Sequence, residues 1–263
     1  MKSISKYHGF TLVELAIVIT IIGILIGGVL KGQQLIDQAR MAATISQVHS
    51  YRTALSIFES TYNELPGDMI DPDSRIVGCN DCAASDGTLG DHKLYRDYIV
   101  HDLGTVRSKL SENTRFWLHL YKADMISGVT DAAITNEPAG ARTTHPLSKL
   151  NLTMMIDSGS GGCEDTLSFN NWGGCQPIGY VIYLVETIES SNGIAGASRI
   201  LSPAKVAQLD RKMDNGQPLS GTVRGIGDPR QSNTYPGCAD TNDKYPEAAT
   251  KSPICSVGFV IGK

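Results

Sequence analysis

The chain has 263 residues, of which 41 % are hydrophobic and 19 % charged, and its formal net charge is −4. This composition suits one sizeable globular domain or two small ones. The acidic balance argues against non-specific binding to nucleic acid, which depends on neutralising phosphates with Lys and Arg. The sequence also shows no clear nucleic-acid site.

An apolar stretch near the start of the chain, residues 10–30, predicts a membrane span. Glu14 is its one charged residue, and it contains no proline. As a helix it would be about 30 Å long, which matches the hydrocarbon core of a bilayer. Lys2 and Lys6 precede it and predict a cytoplasmic amino end with the rest of the chain exported. A signal peptide would need a small-residue cleavage site after the run, whereas here an amphipathic pattern continues from Lys31.

The stretch Gly9–Leu15, with its glycine and phenylalanine ahead of the apolar run and its glutamate inside it, resembles the cleavage and methylation site of type IV pilins and type II secretion pseudopilins. The resemblance implies that prepilin peptidase removes residues 1–9 as a leader by cutting after Gly9. Phe10 would then become the methylated amino end. It also implies that Glu14 pairs with the amino-terminal amine of a neighbouring pilin or pseudopilin subunit during filament assembly.

Physical chemistry also singles out Glu14. An ionised carboxylate inside a bilayer costs at least about 2.5 kcal/mol, so a lone intramembrane glutamate is a functional candidate. The alternative is that Glu14, one turn from the membrane face, extends its carboxylate to the headgroups. The adjoining Gly9 and Phe10 favour pairing within a filament.

An apolar stripe continues the helical pattern beyond the span. Its members recur at three- and four-residue steps, as on one face of a helix: Met41, Ile45, Val48, Tyr51, Leu55, Phe58 and Tyr62. Pro66 and Gly67 then break the pattern. We therefore expect one helix from Phe10 to about Tyr62. Many pilins carry a proline soon after the apolar run, but here Lys31 and Gly32 stand in its place.

This pattern divides the chain after its leader into three predicted parts. Residues 10–30 form the transmembrane or filament-core half of the long helix, and residues 31–64 form its amphipathic half. Residues 65–263 form a periplasmic or extracellular head. The predicted fold class is α+β and pilin-like, with an antiparallel sheet folded onto the long helix.

Further elements are predicted within the head. Ser111 offers an N-cap for a helix that ends near Gly128, with Phe116 and Trp117 facing the core. Ser202 and Pro203 begin another helix that runs to Asp214. Strands are expected over 150–156, 178–188, 223–226 and 256–261, with 178–188 central in the sheet and 158–162 in a loop. The segments 65–68, 116–128 and 207–216 also resemble a subgroup of uncharacterised prepilin-type proteins, which implies no specific function.

The six cysteines all lie beyond the span, and an even number in an exported domain predicts disulfides. Their spacing suggests three sequential pairs, which are Cys79–Cys82, Cys163–Cys175 and Cys238–Cys255. The resemblance favours the last pair, since type IV pilins commonly close their carboxy-terminal region with a disulfide. Zinc at Cys79 and Cys82, with His92 or His101, is the alternative for the first pair, but no further ligand pair completes a four-ligand site.

We expect no cofactor, and calcium is the one candidate for a bound ion in the carboxy-terminal loop. Asp240, Asn242 and Asp243 place oxygen ligands in one loop, and Ca²⁺ takes such ligands together with backbone carbonyls. Several type II secretion pseudopilins bind calcium in a carboxy-terminal loop, so the resemblance points the same way. The loop lacks the glycine and terminal glutamate of an EF-hand, and a merely solvated acidic turn is the alternative.

No pattern typical of a hydrolase nucleophile, a zinc protease or a P-loop occurs, and we expect no enzyme. The resemblance implies a pilin-like structural subunit, with a type IV minor pilin favoured over a type II secretion pseudopilin because of the closing disulfide and the large head. It would reside in the inner membrane before joining a periplasmic or cell-surface filament. The alternative is a single-span, membrane-anchored periplasmic domain that binds a ligand or acts as an enzyme.

Overall fold

The structure, a computed structural model, describes residues 11–84, 89–94, 112–130, 144–160, 178–185, 200–226, 238, 244–246 and 255–262. The chain divides into two compact units, Met1–Ala42 and Ala43–Lys263. The first helix, α1, spans Leu12–Tyr62 and is unbroken at Lys31 and Gly32. The predicted long helix is therefore confirmed over the described residues.

In the first unit, α1 exposes its apolar side chains. Leu12, Ile19 and Ile24 are 87 %, 62 % and 71 % exposed. By length and composition, α1 is the one helix among the described residues that could cross a membrane. The hydroxyl of Thr20 donates to the carbonyl of Ala16 at 2.7 Å, so this polar group is satisfied within the helix, as an apolar environment requires.

In the second unit, the remaining turns of α1 bury one face. Val48, Tyr51, Leu55 and Phe58 on the predicted apolar stripe are all buried. The other elements of this unit are α2 (Pro72–Arg75), α3 (Glu112–Lys122), β1 (Thr153–Ser160), β2 (Ile178–Val185), α4 (Pro203–Met213), β3 (Val223–Ile226) and β4 (Ser256–Gly262).

The four strands form an antiparallel sheet in the order β1-β2-β4-β3. β2 is central, as predicted, and residues 180–185 are all buried. Arg52 and Leu55 on α1 contact the sheet. Arg52 donates to the carbonyl of Val260, and a Cβ at Gly262 would lie 2.9 Å from Leu55. A long helix, an antiparallel sheet and extra helices make up the predicted α+β, pilin-like class.

α3 packs against the head half of α1 through aromatic rings. Trp117 meets Tyr51 edge-on, with ring centroids 5.1 Å apart, and Phe116 packs edge-on against Trp117 at 5.0 Å. Both Phe116 and Trp117 are fully buried. The prediction that this pair faces the core is confirmed.

The predicted end of α3 near Gly128 is wrong, because the helix closes at Asp124. Met125 N–H donates to the carbonyl of Leu120 and Asp124 N–H to that of Tyr121, which is the hydrogen-bond pattern of a Schellman cap. Asp124 occupies the left-handed position with a φ of 58°. An aspartate tolerates that conformation better than most residues, so it replaces the glycine that marks many helix ends.

The predicted position of β1 is also wrong, by several residues. A turn delays its start, because Asn151 N–H donates to the Ser148 carbonyl and Asn151 has a φ of 66°. At the other end, the polar and glycine residues 158–160 were expected in a loop but lie in the strand. They pair with the start of β2, where Gly159 faces Gly179. Residues 161–162 lie outside the described residues, as do Ser111 and residues 186–188 of the predicted strands and helices.

Candidate functional site

The amino end of α1 is closed by a reciprocal cap between Thr11 and Glu14. The Thr11 side chain accepts from the Glu14 N–H at 3.2 Å, and Glu14 Oε2 accepts from the Thr11 N–H at 2.8 Å. The Thr11 hydroxyl also donates to the same Oε2 at 2.8 Å. This is a capping box, which satisfies two backbone donors that a helix start otherwise leaves open.

The cap uses one oxygen of the Glu14 carboxylate, Oε2. Its three contacts with Thr11 engage Oε2 and the backbone N–H, and within the described residues no contact engages Oε1. An ionised carboxylate has about four lone-pair sites, so Glu14 can hold the cap and accept a further donor. The predicted cleavage residues Gly9 and Phe10 lie outside the described residues.

A comparison with protein families identifies this end of the chain. The family described as the prokaryotic N-terminal methylation motif matches residues 4–30. The chain carries the signature of type IV pilins and pseudopilins. The signature implies processing by prepilin peptidase and assembly with other pilin-type subunits, and it points to a structural role. Together with the apolar helix, it fits a membrane-anchored pilin-type subunit. No curated protein and no solved structure matches the chain.

The pilin signature does not extend into the head, so the other predicted sites are judged on their own geometry. The structure contains the disulfides Cys79–Cys82 and Cys238–Cys255, and all four of these residues are buried. The third predicted pair, Cys163 and Cys175, lies outside the described residues.

Of the predicted metal residues, the structure describes Cys79, Cys82 and His92 but not the calcium residues. Asp240, Asn242 and Asp243 lie outside the described residues, so calcium stays a prediction. Ligand atoms of Asp73, Cys79 and Cys82 lie within 4.8 Å of one another. However, the two sulfurs form a disulfide, and the Asp73 carboxylate accepts from the N–H groups of Asp81 and Cys82. Asp73 therefore stabilises the disulfide turn.

Asp68 ties the turn after α1 to a later loop. Its carboxylate accepts from the N–H groups of Gly90 and His92, each at 2.6 Å, while its side chain is almost fully buried. Burial raises the pKa of Asp68, and the N–H bonds act in the opposite direction. Asp68, at the end of the 65–68 segment, therefore fixes the loop that contains Gly90 and His92.

His119 joins three segments of the head. Its Nδ1 accepts from the Gly67 N–H at 2.9 Å, and its Nε2 lies 3.0 Å from the Cys82 carbonyl oxygen. One nitrogen must accept and the other must donate, so these partners fix a neutral ring with its proton on Nε2. Phe58 on α1 stacks on the ring, with centroids 6.3 Å apart.

Sequence reasoning missed the role of Thr11, although a signal for it was present. Thr11 and Glu14 form the spacing Ser/Thr-x-x-Glu directly before an apolar run, which is the sequence pattern of a capping box. The partners of Asp68 and His119 had no such signal. They lie 22 to 52 residues away along the chain, and only the folded backbone brings them together.

Proposed function

We propose that the chain is a minor subunit of a type IV pilus. It enters the inner membrane with its amino end in the cytoplasm, is cut after Gly9 and methylated at Phe10, and joins a periplasmic or cell-surface filament through α1. The observation that carries this proposal is the methylation motif over residues 4–30. The capped start of the apolar helix at Thr11 and Glu14 supports it.

In this proposal Glu14 has two functions. It closes the first turn of α1 through Oε2, and its remaining lone pairs accept the methylated amine of a neighbouring subunit. An unpaired charge in an apolar filament core or bilayer is costly, and a facing ammonium group offsets that cost. The pairing would also fix the axial position of one subunit against the next.

The buried disulfide Cys238–Cys255 and the large head favour a pilus over a secretion pseudopilus. The first test is the mass of the amino-terminal peptide from both the membranes and the sheared surface fraction of the native cell. A peptide that begins with methylated Phe10 in sheared material is the expected result. The same peptide in membranes alone would favour a pseudopilus, and an intact Met1 would reject the proposal in favour of an anchored head.

Two substitutions separate the functions of Glu14. Glu14→Gln keeps an oxygen that can accept the Thr11 N–H but removes the charge, whereas Glu14→Ala removes both. We expect both variants to be cleaved and inserted, and both to be absent from sheared filaments. Incorporation of the glutamine variant at the wild-type level would mean that Glu14 only caps the helix.

Calcium in the carboxy-terminal loop is a further part of the proposal, and it rests on the sequence of that loop alone. Binding would be measured by calorimetry on the full chain in detergent, with magnesium as the control ion. The double variant Asp240→Asn/Asp243→Asn should lose the calcium signal. An equal signal from the variant would remove these residues from the site.

A further inference from the structure

The carboxyl end of α4 holds a buried carboxylate, Asp210, within the 207–216 segment. It is fully buried, and its two oxygens have separate partners. Oδ1 accepts from the Gly216 N–H at 3.0 Å, and Oδ2 accepts from the Tyr245 hydroxyl at 2.8 Å. Tyr245 lies in the chain segment that the Cys238–Cys255 disulfide closes, so Asp210 connects α4 to that segment.

The Tyr245 ring lies beside the disulfide. Gly225 on β3 lies close to both groups, because a Cβ there would be 2.9 Å from Cys238 Sγ and 2.9 Å from Tyr245 Cε1. Cys238 and Cys255 are fully buried, and Tyr245 is 9 % exposed. The ring and the Cys238 sulfur therefore both lie against Gly225 and close to each other, and the hydroxyl bond to Asp210 fixes the position of the ring.

We propose that Tyr245, held by Asp210, is a latch that shields the Cys238–Cys255 disulfide from reductants. A reductant must reach a sulfur along the S–S axis, so a buried disulfide reacts only when its cover opens. Opening would break the bond between the Tyr245 hydroxyl and a buried carboxylate. Hydrogen bonds to charged groups are among the stronger ones in proteins, so the bond would keep the latch closed most of the time.

The charges around Asp210 give the latch a pH dependence. Burial raises the pKa of Asp210, and the bonds from Tyr245 and Gly216 act in the opposite direction. The negative charge of nearby Asp214 raises the pKa of Asp210 further, and the positive charge of Arg211 lowers it. The Tyr245 bond favours the ionised carboxylate, so the closed latch binds a proton less tightly than an open one that has lost this bond, and opening becomes easier as pH falls through the pKa of Asp210.

The test measures reduction of each disulfide in the full chain, purified in detergent and treated with a water-soluble phosphine. Alkylation and peptide mass spectrometry follow Cys238–Cys255 and, as an internal reference, the equally buried Cys79–Cys82. Tyr245→Phe removes only the hydroxyl and should accelerate reduction of Cys238–Cys255 by about 10- to 100-fold. The reference disulfide should keep its wild-type rate.

Four further variants make the test specific. Asp210→Ala should accelerate reduction as much as Tyr245→Phe, and the double variant should add little, because both remove one interaction. Asp210→Asn keeps only an uncharged and weaker bond to Tyr245, so its rate should lie between those of the wild type and Asp210→Ala, and it should lose the pH dependence. Tyr180→Phe removes another buried tyrosine hydroxyl bond, to the His92 carbonyl, and should leave Cys238–Cys255 unchanged.

Two results would overturn the latch. If Tyr245→Phe and Asp210→Ala leave the Cys238–Cys255 rate unchanged, the ring does not control access to the sulfurs. If they accelerate both disulfides equally, the contact stabilises the whole head and has no local shielding function. Acceleration confined to Cys238–Cys255 supports the latch, whether or not the chain assembles into a filament.

Discussion

At the scale of single residues, His119 makes the stability of the head sensitive to acid. Burial lowers the pKa of His119 from 6.5 to about 4, since the charged ring would be desolvated and its Nδ1 must accept from Gly67. The unfolded chain binds this proton more readily than the folded one. Stability should therefore be fully present above about pH 7 and fall by roughly 3 kcal/mol as pH drops to about 4.

This pH dependence is measured by denaturant unfolding of the full chain in detergent between pH 7 and pH 4. His119→Asn should remove most of the histidine-dependent part of the slope while lowering stability at pH 7. His49→Asn is the control for the substitution itself, because the His49 side chain lies exposed on α1. A slope that persists unchanged in His119→Asn would contradict the assignment.

Residues whose partners are distant in the chain, such as His119, have functions that the sequence does not predict. Glu14 was identifiable because it is one charge in an apolar run, and Thr11 could have been found from its spacing to Glu14. His119 and Asp210 could not, because their functions depend on Gly67 and Tyr245, which lie 52 and 35 residues away. Burial and hydrogen bonding across such separations are set by the tertiary fold.

At the scale of elements, the contact between the turn after α1 and the start of α3 depends on Gly67. Its φ is 93°, and a Cβ there would lie 2.3 Å from the Glu112 carbonyl oxygen and 2.9 Å from the Phe116 nitrogen. Both atoms belong to the backbone of α3 and cannot turn aside. Gly67→Ala should therefore destabilise the head by at least about 3 kcal/mol, since backbone strain and a clash add together.

Gly128 provides a matched control for this substitution. Its φ of 92° is almost the same, but a Cβ there would meet nothing within 4 Å. Gly128→Ala should cost only the backbone strain, about 1–2 kcal/mol. Equal losses for the two variants, measured as free energies of unfolding, would show that the close approach to α3 contributes nothing.

The same elements show which local signals predict structure. α4 was predicted well because Ser202 accepts from the Lys205 N–H and Pro203 starts the first turn, and both signals are local. β1 was misplaced because its polar end is held by pairing with β2, and no local pattern contains that partner. A local cap therefore predicted the start of α4, while pairing in the sheet overrode composition.

At the scale of the whole molecule, the second compact unit, residues 43–263, should fold without the apolar stretch. Its part of α1 carries buried side chains that include Val48, Tyr51, Leu55 and Phe58. A fragment of residues 43–263, exported so that its disulfides form, should be soluble and unfold cooperatively. Circular dichroism and thermal unfolding would measure this.

A shorter fragment, residues 63–263, tests why the first one folds. It lacks the buried face of α1, in which Val48, Tyr51, Leu55 and Phe58 each contribute about 1.5–3 kcal/mol. Their sum is about as large as the 5–15 kcal/mol by which a typical domain is stable, so this fragment should not unfold cooperatively. Cooperative unfolding of both fragments would mean that the sheet and α3 form a sufficient core without α1. Failure of both fragments would mean that the head depends on residues 1–42, and its fold would then be coupled to that part of α1.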